Sequence, residues 1–368
     1  NAAGTAVNTY ELQSSSYPND SSIVSEVLNA MARGEICNDG NTFDLSQYKL
    51  DNIQNGIVDN LTIVVQGNPG DNMGDLLWPH KAQYSGTETI NGCRVFNFNF
   101  LPSSALVTDD ASIGAKQAQG VIAHEFLHVL GFPDLYRRTD DGVPVGDWDV
   151  MATNSSFLQY PLSYLRAQQG WISTKEISAD GRYTLTAVSE SGGDKVFILK
   201  TPISDSEMIV LEYRKKNASL YAFEHRLPSS GLLMYRVDTK IEDYTNIRGQ
   251  NFIYVYRPDV TDPEAGKDKG AIEKAALDVT NGETEYGSTD LSKTFVDNTL
   301  YYSDGKNSGI YISGLELSAD GNQLSFNVTF ANYDSADLWE NLGSAFDFNT
   351  YGDAVLYADK NSKSLYMA

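Results

Sequence analysis

Residues 121–134 read VIAHEFLHVLGFPD, and this stretch decides how the first half of the chain is built. His124 and His128 stand four apart in an apolar run with helical spacing, so both imidazoles project from one face, one turn apart. Two nitrogen donors at that separation suit a zinc ion. Glu125, beside the first histidine, reaches a metal-activated water without being a ligand itself. Gly131 follows where a left-handed residue stops a helix and reverses the chain, which brings Asp134 back toward the two rings. Three protein ligands leave one position open to solvent, the arrangement of a catalytic rather than a structural zinc.

The expected core side of this helix is Val121, Ile122, Phe126 and Val129, with the histidines turned to a cleft and a start at Asp109, Asp110 or Ser112. Downstream, LYRRTDDGVPVGDWDVM has the Asp and Gly content of a loop. Its Asp140, Asp141, Asp147 and Asp149 are further candidate ligands for zinc or calcium, although each also suits a turn.

These residues carry a family resemblance. The stretches HEFLHVLGFPDLY (124–136), VGDWDVM (145–151) and PLSYLRAQQGWI (161–172), with weaker echoes LLWPHKA (76–82), GLLMYRVD (231–238) and SDGKNSGIYISGLELSADG (303–321), resemble the M6 metallopeptidases. These are the immune-inhibitor-A-like enzymes of the wider metzincin-like group. Together the stretches cover most of residues 58–330. Leu127 stands where many relatives have glycine, and the third ligand is aspartate where typical metzincins have histidine.

The resemblance implies a secreted or cell-surface zinc endopeptidase of the HEXXH type, with protein or peptide substrates. It also implies that Met151 forms the apolar floor beneath the metal. A phenol near the metal can stabilise an oxyanion, and Tyr160 and Tyr164 are the candidates. The implied fold class is an α+β metzincin-like catalytic domain, a mixed sheet plus the active-site helix, followed by an all-β sandwich-like domain. The boundaries read as 1–172 for the peptidase, 173–330 for the β-domain and 331–368 for a β-rich tail. A rival reading is a catalytically degenerate surface protein that binds glycan or protein through its β-domain.

Composition narrows the partners. The 368 residues suffice for two domains with full cores. A net charge of −22 argues against nucleic acid, whose phosphates need a basic surface, and against anionic lipid. No run is apolar for long enough to span a bilayer, and no leader pattern opens the chain at Asn1. A monomer is the expectation. The acidic loops are where a structural calcium would sit. Cys37 and Cys93 are the two cysteines, too few for a thiolate zinc site. A single disulfide between them and two separate thiols both fit.

Elsewhere, 21–33 has helical spacing through Ile23, Val27, Leu28 and Met31 with Ser21 or Ser22 as cap, and LTIVVQG suits a buried strand. His80 reads as an imidazole bonded to nearby backbone beside Trp78, and His225 as structural. In CRVFNFNFLP, Phe96, Phe98 and Phe100 alternate with Asn97 and Asn99, so one face is core and one polar. That strand is a candidate edge for substrate strand addition. From Ser173 short alternating runs such as EMIVLEYR, GLLMYRVD and QLSFNVTF separated by turn residues give a β-sandwich signature.

Overall fold

The computed structural model describes residues 10–14, 16–34, 49–68, 75–106, 119–138, 140–154, 158–219, 222–241, 245–247, 249–258, 260, 272–333, 345–351, 354–359 and 364–367. Cys37 and the expected helix start at Asp109, Asp110 or Ser112 lie outside these residues. The chain is mixed α/β and forms two compact units. One comprises Asn1–Pro133, Thr153–Gln159 and Ala218–His225; the other comprises Asp134–Ala152, Tyr160–Asn217 and Arg226–Ala368.

In the first unit, helix α1 (Asp20–Arg33) is capped by Asn19, whose side chain accepts the Ser22 N–H at 3.0 Å, and is closed by Gly34 at φ 73°. The cap therefore falls two or three residues before the expected serines, because the Asn19 carboxamide takes the orphan donor first. Strands β1 (Thr62–Val65), β2 (His80–Gln83), β3 (Thr89–Ile90), β4 (Cys93–Arg94) and β5 (Asn97–Pro102) follow, and then helix α2 (Gln119–Val129). The main sheet has the order β1-β5-β2, with β1 parallel and β2 antiparallel to β5. A core of Ile23, Val24 and Leu28 from α1 with Val58, Ile63, Tyr84, Ile90, Val95, Phe98 and Phe100 holds the unit together.

Two expectations change here. The run LTIVVQG is not buried on both faces, since Ile63 is buried while Val64 is 55% exposed. As an outer strand β1 turns only one face to the core. And β5 is the central strand of its sheet, so its edges are already hydrogen-bonded and it cannot take a substrate strand. Phe98 and Phe100 fill the core as expected, but Asn99 on the other face is also buried. His80 donates from Nδ1 to the Trp78 carbonyl at 2.6 Å, since a carbonyl only accepts. This is the structural role read from the sequence.

A carboxylate fixes α1 to the rest of this unit. Glu88 accepts from Ser25 Oγ at 2.6 Å, Tyr84 OH at 2.7 Å and Asn29 Nδ2 at 3.3 Å. The Ser25 and Tyr84 hydroxyls hold its pKa down to about 2, against 4.5 ordinarily. A group that ionises more readily when folded adds stability above its unfolded pKa. That stability is lost as pH falls from about 4.5 toward about 2. Glu88→Gln should therefore lower the melting temperature at pH 7, at a cost of about 1 kcal/mol once solvent screening is allowed for. The gap to wild type should narrow as pH falls below about 4.5 and close only near about 2, which a series of thermal melts across that window measures.

The second unit holds helix α3 (Ser163–Gln168) and the strands β6 (Lys175–Ile177), β7 (Gly181–Thr186), β8 (Val196–Leu199), β9 (Glu207–Arg214), β10 (Gly231–Asp238), β11 (Asn246–Ile247), β12 (Gln250–Asn251), β13 (Ile253–Val255), β14 (Tyr286–Gly287), β15 (Ile310–Leu317) and β16 (Gln323–Phe330). They make a five-stranded sheet β13-β10-β9-β8-β6 and a four-stranded sheet β14-β15-β16-β7, with β11 and β12 as a separate hairpin. One core draws on both large sheets: Leu185, Phe197, Ile209, Leu211, Leu232 and Tyr254 pack with Ile312, Leu324, Phe326 and Val328. The tail forms an antiparallel meander of β17 (Ala345–Tyr351), β18 (Ala354–Asp359) and β19 (Ser364–Met367).

Buried charges in this unit are matched locally. Arg236 lies over the rings of Tyr254 and Tyr301 at 4.6 and 5.3 Å and near Glu207 at 3.5 Å, and Arg257 covers Tyr254 at 4.7 Å. Cation–π contact and the Glu207 carboxylate offset the loss of water around Arg236, and cation–π contact with bonds to the Val255, Val143 and Pro144 carbonyls does so for Arg257.

Candidate metal centre

Helix α2 ends as its sequence dictates. Gly131 takes φ 92°, its N–H bonds to the His128 carbonyl at 3.2 Å, and the Phe132 N–H reaches back to the Leu127 carbonyl at 3.1 Å. This pair of bonds is a Schellman closure, available because glycine has no Cβ to clash in the left-handed region. The closure points the Phe132 carbonyl at the His128 ring, and Nδ1 lies 2.8 Å from that oxygen. The oxygen accepts, so Nδ1 carries the proton and Nε2 keeps the lone pair a metal would need.

His124 is buried at 2% exposure, and its ring stands edge-on to that of His128 with centroids 4.7 Å apart. Along the continuous stretch 124–134, one ligand atom from each of His124, His128 and Asp134 lies within 4.8 Å of the other two. Donors around a tetrahedral zinc stand about 3.3 Å apart, given bonds of about 2 Å. To close the difference the Asp134 carboxylate, whose Oδ2 accepts from Arg138 Nη2, would turn toward the two rings. Two neutral imidazoles and one carboxylate are also a donor set that zinc accepts. The residues therefore fit a divalent metal of the zinc type.

Among the described residues this is the one group of three or more His, Cys, Asp or Glu side chains placed to share an ion. The other acidic candidates do not join it. Asp140 accepts from Gly142 N at 2.8 Å and faces Arg137, while Asp141 and Asp147 are exposed. Asp149 is fully buried and accepts from Met151 N and Leu162 N, both at 2.6 Å. Burial pushes its pKa up to about 7 against the pull of those two N–H groups and of Arg214. Calcium finds no such ligand group among the described residues.

Glu125 is 4% exposed on α2, next to His124. The helix sits differently from expectation, however. Ile122 and Phe126 are 45% and 43% exposed and form an outward stripe with Leu130, whereas Gly120, His124, Glu125 and Leu127 are buried. Apolar residues occupy every side of this helix, so periodicity could not distinguish its inner face.

Met151 is completely buried, and its carbonyl accepts from Leu135 N at 3.0 Å, one residue beyond Asp134. Tyr164 is buried against Phe252 with centroids 6.3 Å apart, and its N–H donates to Tyr235 OH. Tyr160 stays half-buried, with the Arg166 guanidinium 4.9 Å above its ring.

Several residues that sequence reasoning missed support this region inside the second unit. Arg214 Nη1 donates to the Trp148 carbonyl at 2.7 Å and to Glu212 Oε1 at 2.9 Å, and Nη2 donates to the Tyr160 carbonyl at 3.2 Å. Glu212 Oε2 accepts from Ser163 N at 2.6 Å and from Tyr235 OH at 3.1 Å. Together they pin both ends of the 148–163 segment to β9. The only signal in the sequence was the charged pair Glu212 and Arg214 directly after the apolar run Met208 to Leu211 in EMIVLEYR.

Neither a curated protein nor a solved structure gave a match to the chain. Residues 10–160 match the family model of the immune inhibitor A peptidase M6 catalytic domain. That span contains His124, Glu125, His128, Asp134 and Met151, and over it the chain is similar to the M6 metallopeptidase catalytic domain.

Proposed function

We propose that the protein is a secreted zinc-dependent endopeptidase, with a metzincin-like catalytic apparatus in residues 1–172 and a β-sandwich in residues 173–330. The observation that carries this reading is the convergence of His124, His128 and Asp134, with Glu125 buried beside the first of them. The family match supports hydrolysis of protein or peptide substrates. Among the described residues no helix is long and apolar enough to cross a membrane.

His124 Nε2 or Nδ1, His128 Nε2 and an Asp134 oxygen would hold the metal. Bound zinc supplies the positive charge that makes water acidic near neutral pH and draws electron density from the scissile carbonyl. Glu125 takes the proton from the attacking water and delivers it to the departing amine, so one carboxylate serves as base and then as acid. Met151 closes the floor as an inert side chain. Of the two tyrosines, Tyr160 is the better candidate to donate to the developing oxyanion, since its ring remains half open while Tyr164 is enclosed with Phe252.

The test is a digest of unfolded casein by the purified chain. Cleavage should stop on chelation and return with stoichiometric zinc. A chain that binds zinc at this site yet leaves casein and a peptide library intact would instead support the degenerate binding protein.

A further inference from the structure

The three ligands of the proposed centre are not mounted alike. His124 and His128 ride on one helix, but the backbone that carries Asp134 is held from a hairpin more than a hundred residues later in the chain. Leu135, directly after Asp134, uses both of its peptide groups: its N–H donates to the Met151 carbonyl at 3.0 Å, and its carbonyl accepts from Asn246 Nδ2 at 2.7 Å. Asn246 is 2% exposed and its Oδ1 accepts from Ile253 N at 3.0 Å, so the carboxamide is fixed at both ends.

Two residues on, the Arg137 side chain is enclosed and places Nε and Nη2 at 3.1 and 2.8 Å from Asn251 Oδ1. Asn246 and Asn251 face each other across the β11–β12 pair. The hairpin therefore grips residues 135 and 137 of the loop that follows helix α2, while Asp134 sits directly before them.

We propose that Asn246, Asn251 and Arg137 are positioning residues for the metal, acting through Asp134 without touching the ion. A ligand oxygen must be placed to within about half an ångström, and a carboxylate on a free loop would lose its contribution to conformational averaging. The hairpin thus sets the metal affinity of a site built on sequence far from it. This inference rests on the metal-centre reading above.

The experiment measures zinc affinity of the full chain by competition with a chromophoric chelator, alongside the melting temperature of the metal-free protein. Asn246→Ala should weaken zinc binding by about tenfold or more. Arg137→Lys, which keeps charge and length but not the forked contact, carries the same prediction if Asn246→Ala folds poorly. Leu199→Ala, a buried position in β8, serves as control: it should lower the melting temperature while leaving zinc affinity unchanged. In an Asp134→Ala background the hairpin substitutions should have no further effect, because the ligand they position is gone.

Wild-type affinity in both Asn246→Ala and Arg137→Lys, or an undiminished loss in the Asp134→Ala background, would overturn the inference and leave the metal centre standing. A wild-type chain that binds no zinc overturns the metal centre, and the positioning role with it.

Discussion

Glu125→Gln should lower kcat/KM for peptide hydrolysis by about a thousandfold, the middle of the range for losing a general acid–base group. In free energy this is about 4 kcal/mol of transition-state stabilisation. The substitution removes a proton acceptor but conserves shape, and Glu125 is not among the three side chains that converge on the ion. Zinc content and melting temperature should therefore match wild type, which separates loss of the base from loss of the site. A variant that retained most of its rate with zinc bound would show that another group takes the proton.

His128→Ala should act on the metal itself. Zinc binding at such sites is worth about 10–16 kcal/mol shared among three or four ligands, so removing one costs on the order of 3 kcal/mol, or a hundredfold in affinity. The half-buried ring leaves only a small cavity. The larger structural change is that the Phe132 carbonyl loses the imidazole N–H that now reaches it at 2.8 Å. Added zinc in large excess should restore part of the activity, whereas excess zinc should do nothing for Glu125→Gln. Isothermal titration with zinc and a paired rate measurement would read both effects.

Much of the centre was legible because its parts are local. The i, i+4 histidines and the glycine that ends their helix are close neighbours in sequence, and the turn at Gly131 sends the chain back in the direction of Asp134. The orientation of α2 was not legible, because an apolar stripe of Ile122, Phe126 and Leu130 lies opposite a second apolar set, and periodicity cannot rank two such faces. The place of β5 was also hidden. Its alternation of Phe and Asn is that of an edge or a half-buried strand, and only pairing with β1 and β2 made it central.

What supports the third ligand was least visible. Asn246 lies 111 residues from Leu135, and Asn251 lies 114 from Arg137. Each is an ordinary turn-forming asparagine until the fold brings it to its partner. Glu212 and Arg214 presented the opposite difficulty. Every residue of β9 is buried, so the alternation that usually marks a charged face was lost.

The most direct measurement is an anomalous difference map at the zinc absorption edge from crystals of the untreated protein. One peak should lie among His124, His128 and Asp134, with density for solvent or substrate, not a fourth side chain, completing its coordination. A peak at any other cluster, or a protein ligand filling the remaining position, would contradict a hydrolytic zinc centre in this chain.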